Sequence, residues 1–286
     1  LIDANTKSKN EIIKELQDLA KQESKWAVSL VDDATEKGII ATTITSEQAI
    51  AVVSAATFSP TPRSQVDLET AFTNLGVSLG RQARQAISDG ILSGQMNNEI
   101  AKTIQEQTRL AKNQATALAR TGTNYVSNKT RQEVYQNNRD IIEQYEWVAT
   151  LDARTTAVCS SRDGVRYNFG ENNPEPPAHY NCRSTTVPVV AEEFRSKPKK
   201  TPQRPAVGAK GAGTVSAKQT YGTWLRGQPA AFQDEYFSKF KNGAAKAKLF
   251  RKGGLKIDKF VDTNGAEYSL ADLERLNPIE FAKAEI

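Results

Sequence analysis

ATALARTGTNYVSNKTRQEVY, residues 115–135, is followed after nine intervening residues by YEWVATL, residues 145–151. The first stretch reads as helical and is interrupted only by Gly122. The second alternates between its two faces and carries aromatic and β-branched residues, the pattern of a strand. The change of period within one short span sets the expectation of an α+β chain. A mostly helical N-terminal body would lead into a small β-containing module.

Working towards the N-terminus, residues 9–37 place Ile12, Leu16, Leu19, Trp26 and Leu30 at helical spacing. Gly38 closes that run. Thr45-Ser46-Glu47-Gln48 has the form of a capping box and predicts a helix to about Thr57, broken by Ser59-Pro60-Thr61-Pro62. Leu68, Phe72, Leu75 and Leu79 predict a further helix over 65–89, ended by Gly90 and Gly94. Two more are expected over 96–107 and 110–138. Towards the C-terminus, Asp163-Gly164 is a turn dipeptide, and strands are expected at 165–169 and 184–190. Residues 195–218 hold seven basic residues, three Pro, three Gly and no acid, the composition of a linker. Beyond it, 219–286 has three short helix-like runs, with Trp224, Leu225, Phe232, Tyr236, Phe237, Phe240, Leu249 and Phe250 as apolar mass to dock on something. The expected domains are therefore 1–138, a helical body; 139–194, a Cys/His module; 195–218, a basic linker; and 219–286, a C-terminal docking segment.

Composition narrows the function. Mean hydropathy is −0.56, low for a compact globule. No apolar run reaches the ~18–20 residues of a membrane span, so no membrane partner is expected. Asp3 and Asn5 stand where a secretory leader would be basic. Two Cys in 286 residues do not make a disulfide framework. The charge is uneven: residues 193–260 hold 16 Lys and Arg against 4 Asp and Glu. An acidic partner such as nucleic acid, met by Lys197, Lys199, Lys200, Arg204 and Lys210, stands against the plainer reading of a solvated linker.

The two Cys and the single His fall within 24 residues of one another, at Cys159, His179 and Cys182. Thiolates and an imidazole suit tetrahedral zinc, here as a structural site for a module with little core, with Asp163, Asp152 or a water as the fourth ligand. A Cys159–Cys182 disulfide is the second reading, and two buried thiols beside a surface His the third. Catalysis is not expected. A nucleophilic Cys needs a base and an oxyanion site that nothing here marks, and one His leaves little acid–base chemistry near neutral pH. Asp152 and Arg154 read as an ion pair or turn partners.

In order along the chain come Trp147-Val148-Ala149-Thr150-Leu151-Asp152-Ala153-Arg154-Thr155-Thr156, Cys159, Asp163-Gly164, Pro176-Pro177-Ala178-His179-Tyr180-Asn181-Cys182-Arg183-Ser184 and Val187-Pro188-Val189. This series resembles the signature of the phage Mu F-like minor head protein family, over about residues 70–190. Where many members of that family have a second Cys near the first, this chain has Ser160 and Ser161. The resemblance implies a structural minor head protein of a tailed bacteriophage, not an enzyme. Such a protein acts in head morphogenesis near the portal, with the portal protein, other head proteins and packaged DNA as partners. It would be assembled in the host cytoplasm and reside in the virion. Some proteins with this module carry toxin domains after it, so a virion-delivered enzyme or toxin is the rival expectation, with a zinc-stabilised nucleic-acid-binding protein as a third.

Overall fold

The computed structural model describes residues 22–35, 41–45, 47–48, 51–52, 77–108, 112–170, 173–196 and 201–286. The helices expected over 9–37, 45–57 and 65–89, and residues 197–200 of the expected linker, lie partly or wholly outside them. The fold is α+β, as the two periods imply. It divides into two compact units, residues 1–145 with 167–197, and residues 146–166 with 198–286.

In the first unit, residues 22–34 are helical. The capping box forms as read: Gln48 N–H donates to Thr45 Oγ1 (3.2 Å) and Thr45 N–H to Gln48 Oε1 (2.9 Å). Helices α1 (Val77–Leu92), α2 (Asn97–Thr108) and α3 (Lys112–Asn137) follow. Gly90 was expected to end α1. Instead it lies inside the helix as a contact point, where an added Cβ would meet Ile100 Cγ1 at 2.3 Å. The turn away from α1 is made by Gly94, at φ +66°. Gly122 plays the same packing role in α3, where an added Cβ would meet Ile87 at 3.0 Å. Ala83, Ala86, Ile87, Ile100, Ile104, Ala115 and Ala119 form the buried seam between these helices.

The rest of α3 is polar yet buried, because it lies on a strand through side-chain bonds. β4 (Thr185–Val190) follows Ser184, whose carbonyl accepts from Asn124 Nδ2 (3.0 Å) and Asn128 Nδ2 (3.4 Å). Gln132 Nε2 donates to Thr186 Oγ1 (3.2 Å) and Tyr135 O–H to the Thr186 carbonyl (3.2 Å). With β1 (Ile142–Val148) and β3 (Arg166–Asn168), β4 makes a three-stranded sheet in the order β3-β1-β4. The strand expected at 145–151 thus begins and ends three residues earlier.

The second unit differs most from the sequence reading. Residues 203–216 are not a linker. β5 (Gln203–Gly208) and β6 (Gly211–Ser216) form an antiparallel hairpin. β5 also pairs in parallel with β2 (Leu151–Asp152), Leu151 opposite Ala206 and Asp152 opposite Val207. That pairing is why 146–166 joins the C-terminal residues instead of a separate 139–194 module. A short helix, α4 (Ala157–Arg162), was not read from sequence.

The apolar residues of 219–286 pack on one another and on Leu151 and Ala206. Helices α5 (Tyr221–Arg226), α6 (Ala230–Phe237), α7 (Gly243–Lys248), α8 (Leu270–Leu276) and α9 (Pro278–Ala284) surround Tyr221, Trp224, Tyr236, Phe237, Phe240, Phe250 and Phe260. Phe237 lies 5.1–5.4 Å, centroid to centroid, from Tyr236, Phe240, Phe250 and Phe260. Offset and edge contacts at this spacing add about 0.5–1.5 kcal/mol per pair beyond burial. After α7 the chain widens into one π-turn, Leu249–Gly253. Arg226 closes its end, donating to the carbonyls of Phe250 (2.8 Å), Gly254 (2.9 Å) and Leu255 (2.8 Å).

Candidate metal centre

The segment bearing His179 and Cys182 is fixed to α3. Asn181 takes the left-handed conformation, φ 57°, and its N–H donates to Thr121 Oγ1 at 3.0 Å. Thr121 is fully buried and bonds back to the Ala117 carbonyl (2.5 Å). Cys182 N–H donates to the His179 carbonyl (3.1 Å), and the Asn124 and Asn128 contacts hold Ser184. Positions 121, 124 and 128 lie on one helix face. Asn124 and Asn128 were not singled out from the sequence, although polar residues at that spacing were the available signal.

His179 Nδ1 lies 2.7 Å from the Tyr180 carbonyl. With the proton on Nδ1, Nε2 keeps its lone pair for a ligand. Burial pulls the His179 pKa down, but the hydrogen bond and charge of Cys182 and the Tyr180 carbonyl outweigh it, and the net shift is upward. The site therefore favours positive charge beside the sulfur.

Cys159, on α4, is buried like Cys182, and no disulfide joins the two. The ligand atoms of Cys159, His179 and Cys182 all lie within 4.8 Å of one another, so the group can hold a metal ion. Zinc–thiolate bonds of about 2.3 Å in a tetrahedron put sulfur atoms about 3.8 Å apart. Two soft sulfurs and one imidazole at this spacing are a ligand set that could hold such an ion.

Neither expected carboxylate joins the group. Asp163 is fully buried and fully occupied: Oδ1 accepts from Ala149 N–H (2.6 Å) and Arg204 Nη2 (2.9 Å), and Oδ2 from Arg204 Nη1 (3.0 Å) and Tyr221 N–H (2.6 Å). Asp152 Oδ1 accepts from Arg154 N–H (3.0 Å) and Thr155 O–H (3.2 Å), the turn-partner role expected of it. The same geometry corrects the expected DNA contact at Arg204. Its guanidinium is spent on Asp163 and on the Ala149 and Gln219 carbonyls. Lys210 is exposed at the hairpin turn, whereas Lys197, Lys199 and Lys200 lie outside the described residues.

Comparison with known proteins bears on this region. Residues 81–187 match the family described as Phage Mu protein F like protein. A stretch of 127 residues is 28% identical to a protein of Enterococcus faecalis named NAD(+)--arginine ADP-ribosyltransferase EFV, and covers 39% of this chain. The match spans 26% of that protein, about a quarter of its length. No solved structure matches. The helical seam, the α3–β4 contact and all three members of the Cys/His group fall within the matched span.

Proposed function

We propose that this chain is a structural minor head protein of a tailed bacteriophage, acting in head morphogenesis near the portal and touching packaged DNA. The family match over 81–187 carries the reading. The Cys/His group then serves as a structural zinc site. Its ligands come from a short helix and a braced turn. The second unit is the DNA-facing one, with nineteen Lys and Arg against twelve Asp and Glu, whereas the first has nineteen against twenty-one. Among the described residues no helix is long and apolar enough to cross a membrane.

A second reading, a virion-delivered enzyme, draws on the relative named as an ADP-ribosyltransferase. Copies in purified particles, counted by quantitative mass spectrometry and located by immunogold labelling, separate the two. Low copy number at a single vertex supports the head protein. Copies independent of particles, with NAD-dependent modification of arginine, support the enzyme.

A further inference from the structure

The turn between β2 and α4 is braced from every side. The Asp152 carboxylate bonds Arg154 N–H and Thr155 O–H, and Thr155 O–H also reaches the Thr150 carbonyl (2.5 Å). Tyr221 O–H holds the Asp152 carbonyl (2.7 Å). The Lys239 ammonium, 4.1 Å from the Tyr236 ring centre, donates to the carbonyls of Ala153 (2.7 Å) and Thr155. Between Trp147 and Gly164 every residue is buried or half-buried except Arg154. Its side chain is 81% exposed, and its ion-pair contact is a long one of 3.5 Å to Asp152 Oδ2. The fold accounts for the other residues of the turn by what they pack against or bond, but it leaves the Arg154 guanidinium in water.

We propose that Arg154 is an anchor for a backbone phosphate of duplex DNA. A guanidinium presents paired donors to phosphate oxygens, and a turn already fixed loses little entropy on binding. The net charge of +7 on the second unit, from nineteen bases and twelve acids, favours a polyanion over a single carboxylate. The contact is blind to base sequence. The proposal rests on the DNA-facing reading above and names the residue that makes the contact.

The test uses the full chain and a labelled duplex of random sequence, titrated over a range of salt. Arg154→Gln lowers affinity roughly five- to tenfold at ~0.1 M salt and reduces the slope of log affinity against log salt by about 0.9. Arg154→Lys keeps the slope, with weaker binding. Arg275→Gln, at an exposed arginine paired with Asp272 on α8, is the comparison for diffuse charge. Equal losses for Arg154→Gln and Arg275→Gln overturn the anchor, as does an unchanged Arg154→Gln. A wild-type chain that fails to bind the duplex at low salt overturns the DNA-facing reading and the anchor with it. Loss of binding to phage particles without loss of binding to DNA assigns Arg154 to a protein carboxylate and also overturns it.

Discussion

Asp163 and Arg204, 41 residues apart, form a buried bidentate pair, with the carboxylate fully buried and the guanidinium 11% exposed. The pair ties the turn after α4 to β5, and the Tyr221 N–H on the same carboxylate adds the start of α5. A charge pair away from water needs its donors and acceptors met, and here each carboxylate oxygen accepts two bonds while Nη1 and Nη2 each donate two.

Removing one partner leaves the other charge buried and uncompensated. Asp163→Ala is expected to destabilise the protein by about 3–5 kcal/mol. Asp163→Asn keeps an acceptor for Ala149 or Tyr221 and should cost less. Chemical unfolding followed by tryptophan fluorescence measures both, since Trp147 and Trp224 are buried in this unit. A change below ~1 kcal/mol for Asp163→Ala would mean that the pair is not a structural centre.

The helices and strands with strong periodicity were legible in the sequence. α2, α3, β3 and β4 lie within a few residues of their expected bounds. The Cys/His group was legible because the chain's two Cys and its single His cluster together. The hairpin at 203–216 was not, since Gly and Ala make up six of its fourteen residues and one of its pairings is with β2, some fifty residues earlier. Asp163-Gly164 does turn, with Gly164 at φ +79°, but nothing local marks Asp163 as the acceptor for distant donors. A long-range ion pair has no sequence period.

Gly90→Ala tests the close approach of α1 and α2. The new Cβ falls 2.3 Å from Ile100 Cγ1, and Ile100 is fully buried with little room to yield. A cost of about 1–3 kcal/mol is expected from overpacking. Gly94→Ala meets nothing within 4 Å, but its φ of +66° is costly for alanine, about 1–2 kcal/mol. Replacing Ile100 by Val should recover part of the Gly90→Ala loss and none of the Gly94→Ala loss. Equal recovery would refute the steric account.

Tyr135 and Tyr236 are fully buried, and desolvation holds both phenols well above the usual tyrosine range. A raised folded pKa favours the neutral phenol in the native state. The associated stability is fully present below the unfolded pKa of about 10 and is lost as pH rises above it. Phenolate absorbance should therefore show some of the eight tyrosines ionising reversibly, and Tyr135 and Tyr236 only as the protein unfolds. Complete, reversible ionisation of all eight without loss of near-ultraviolet dichroism would contradict the burial.

The Cys/His group should hold one zinc ion per chain. The motive is the placing of two thiol sulfurs and an imidazole within 4.8 Å, with His179 Nδ1 already turned to the Tyr180 carbonyl. Thiolates bind only when deprotonated, so affinity should fall as pH drops and protons compete for sulfur. Protein purified under reducing conditions is expected to contain zinc by elemental analysis, and a strong chelator should lower its melting temperature. Cys159→Ser, His179→Ala and Cys182→Ser should each lose the metal. Asp163→Asn should keep it despite lower stability, because that carboxylate serves Arg204. The control matters because a merely destabilised chain can also shed metal. Protein without metal that forms a Cys159–Cys182 disulfide on mild oxidation, at no cost in stability, would replace the zinc site with the disulfide. Loss of zinc from Asp163→Asn at a temperature where it remains folded would return Asp163 to the ligand set.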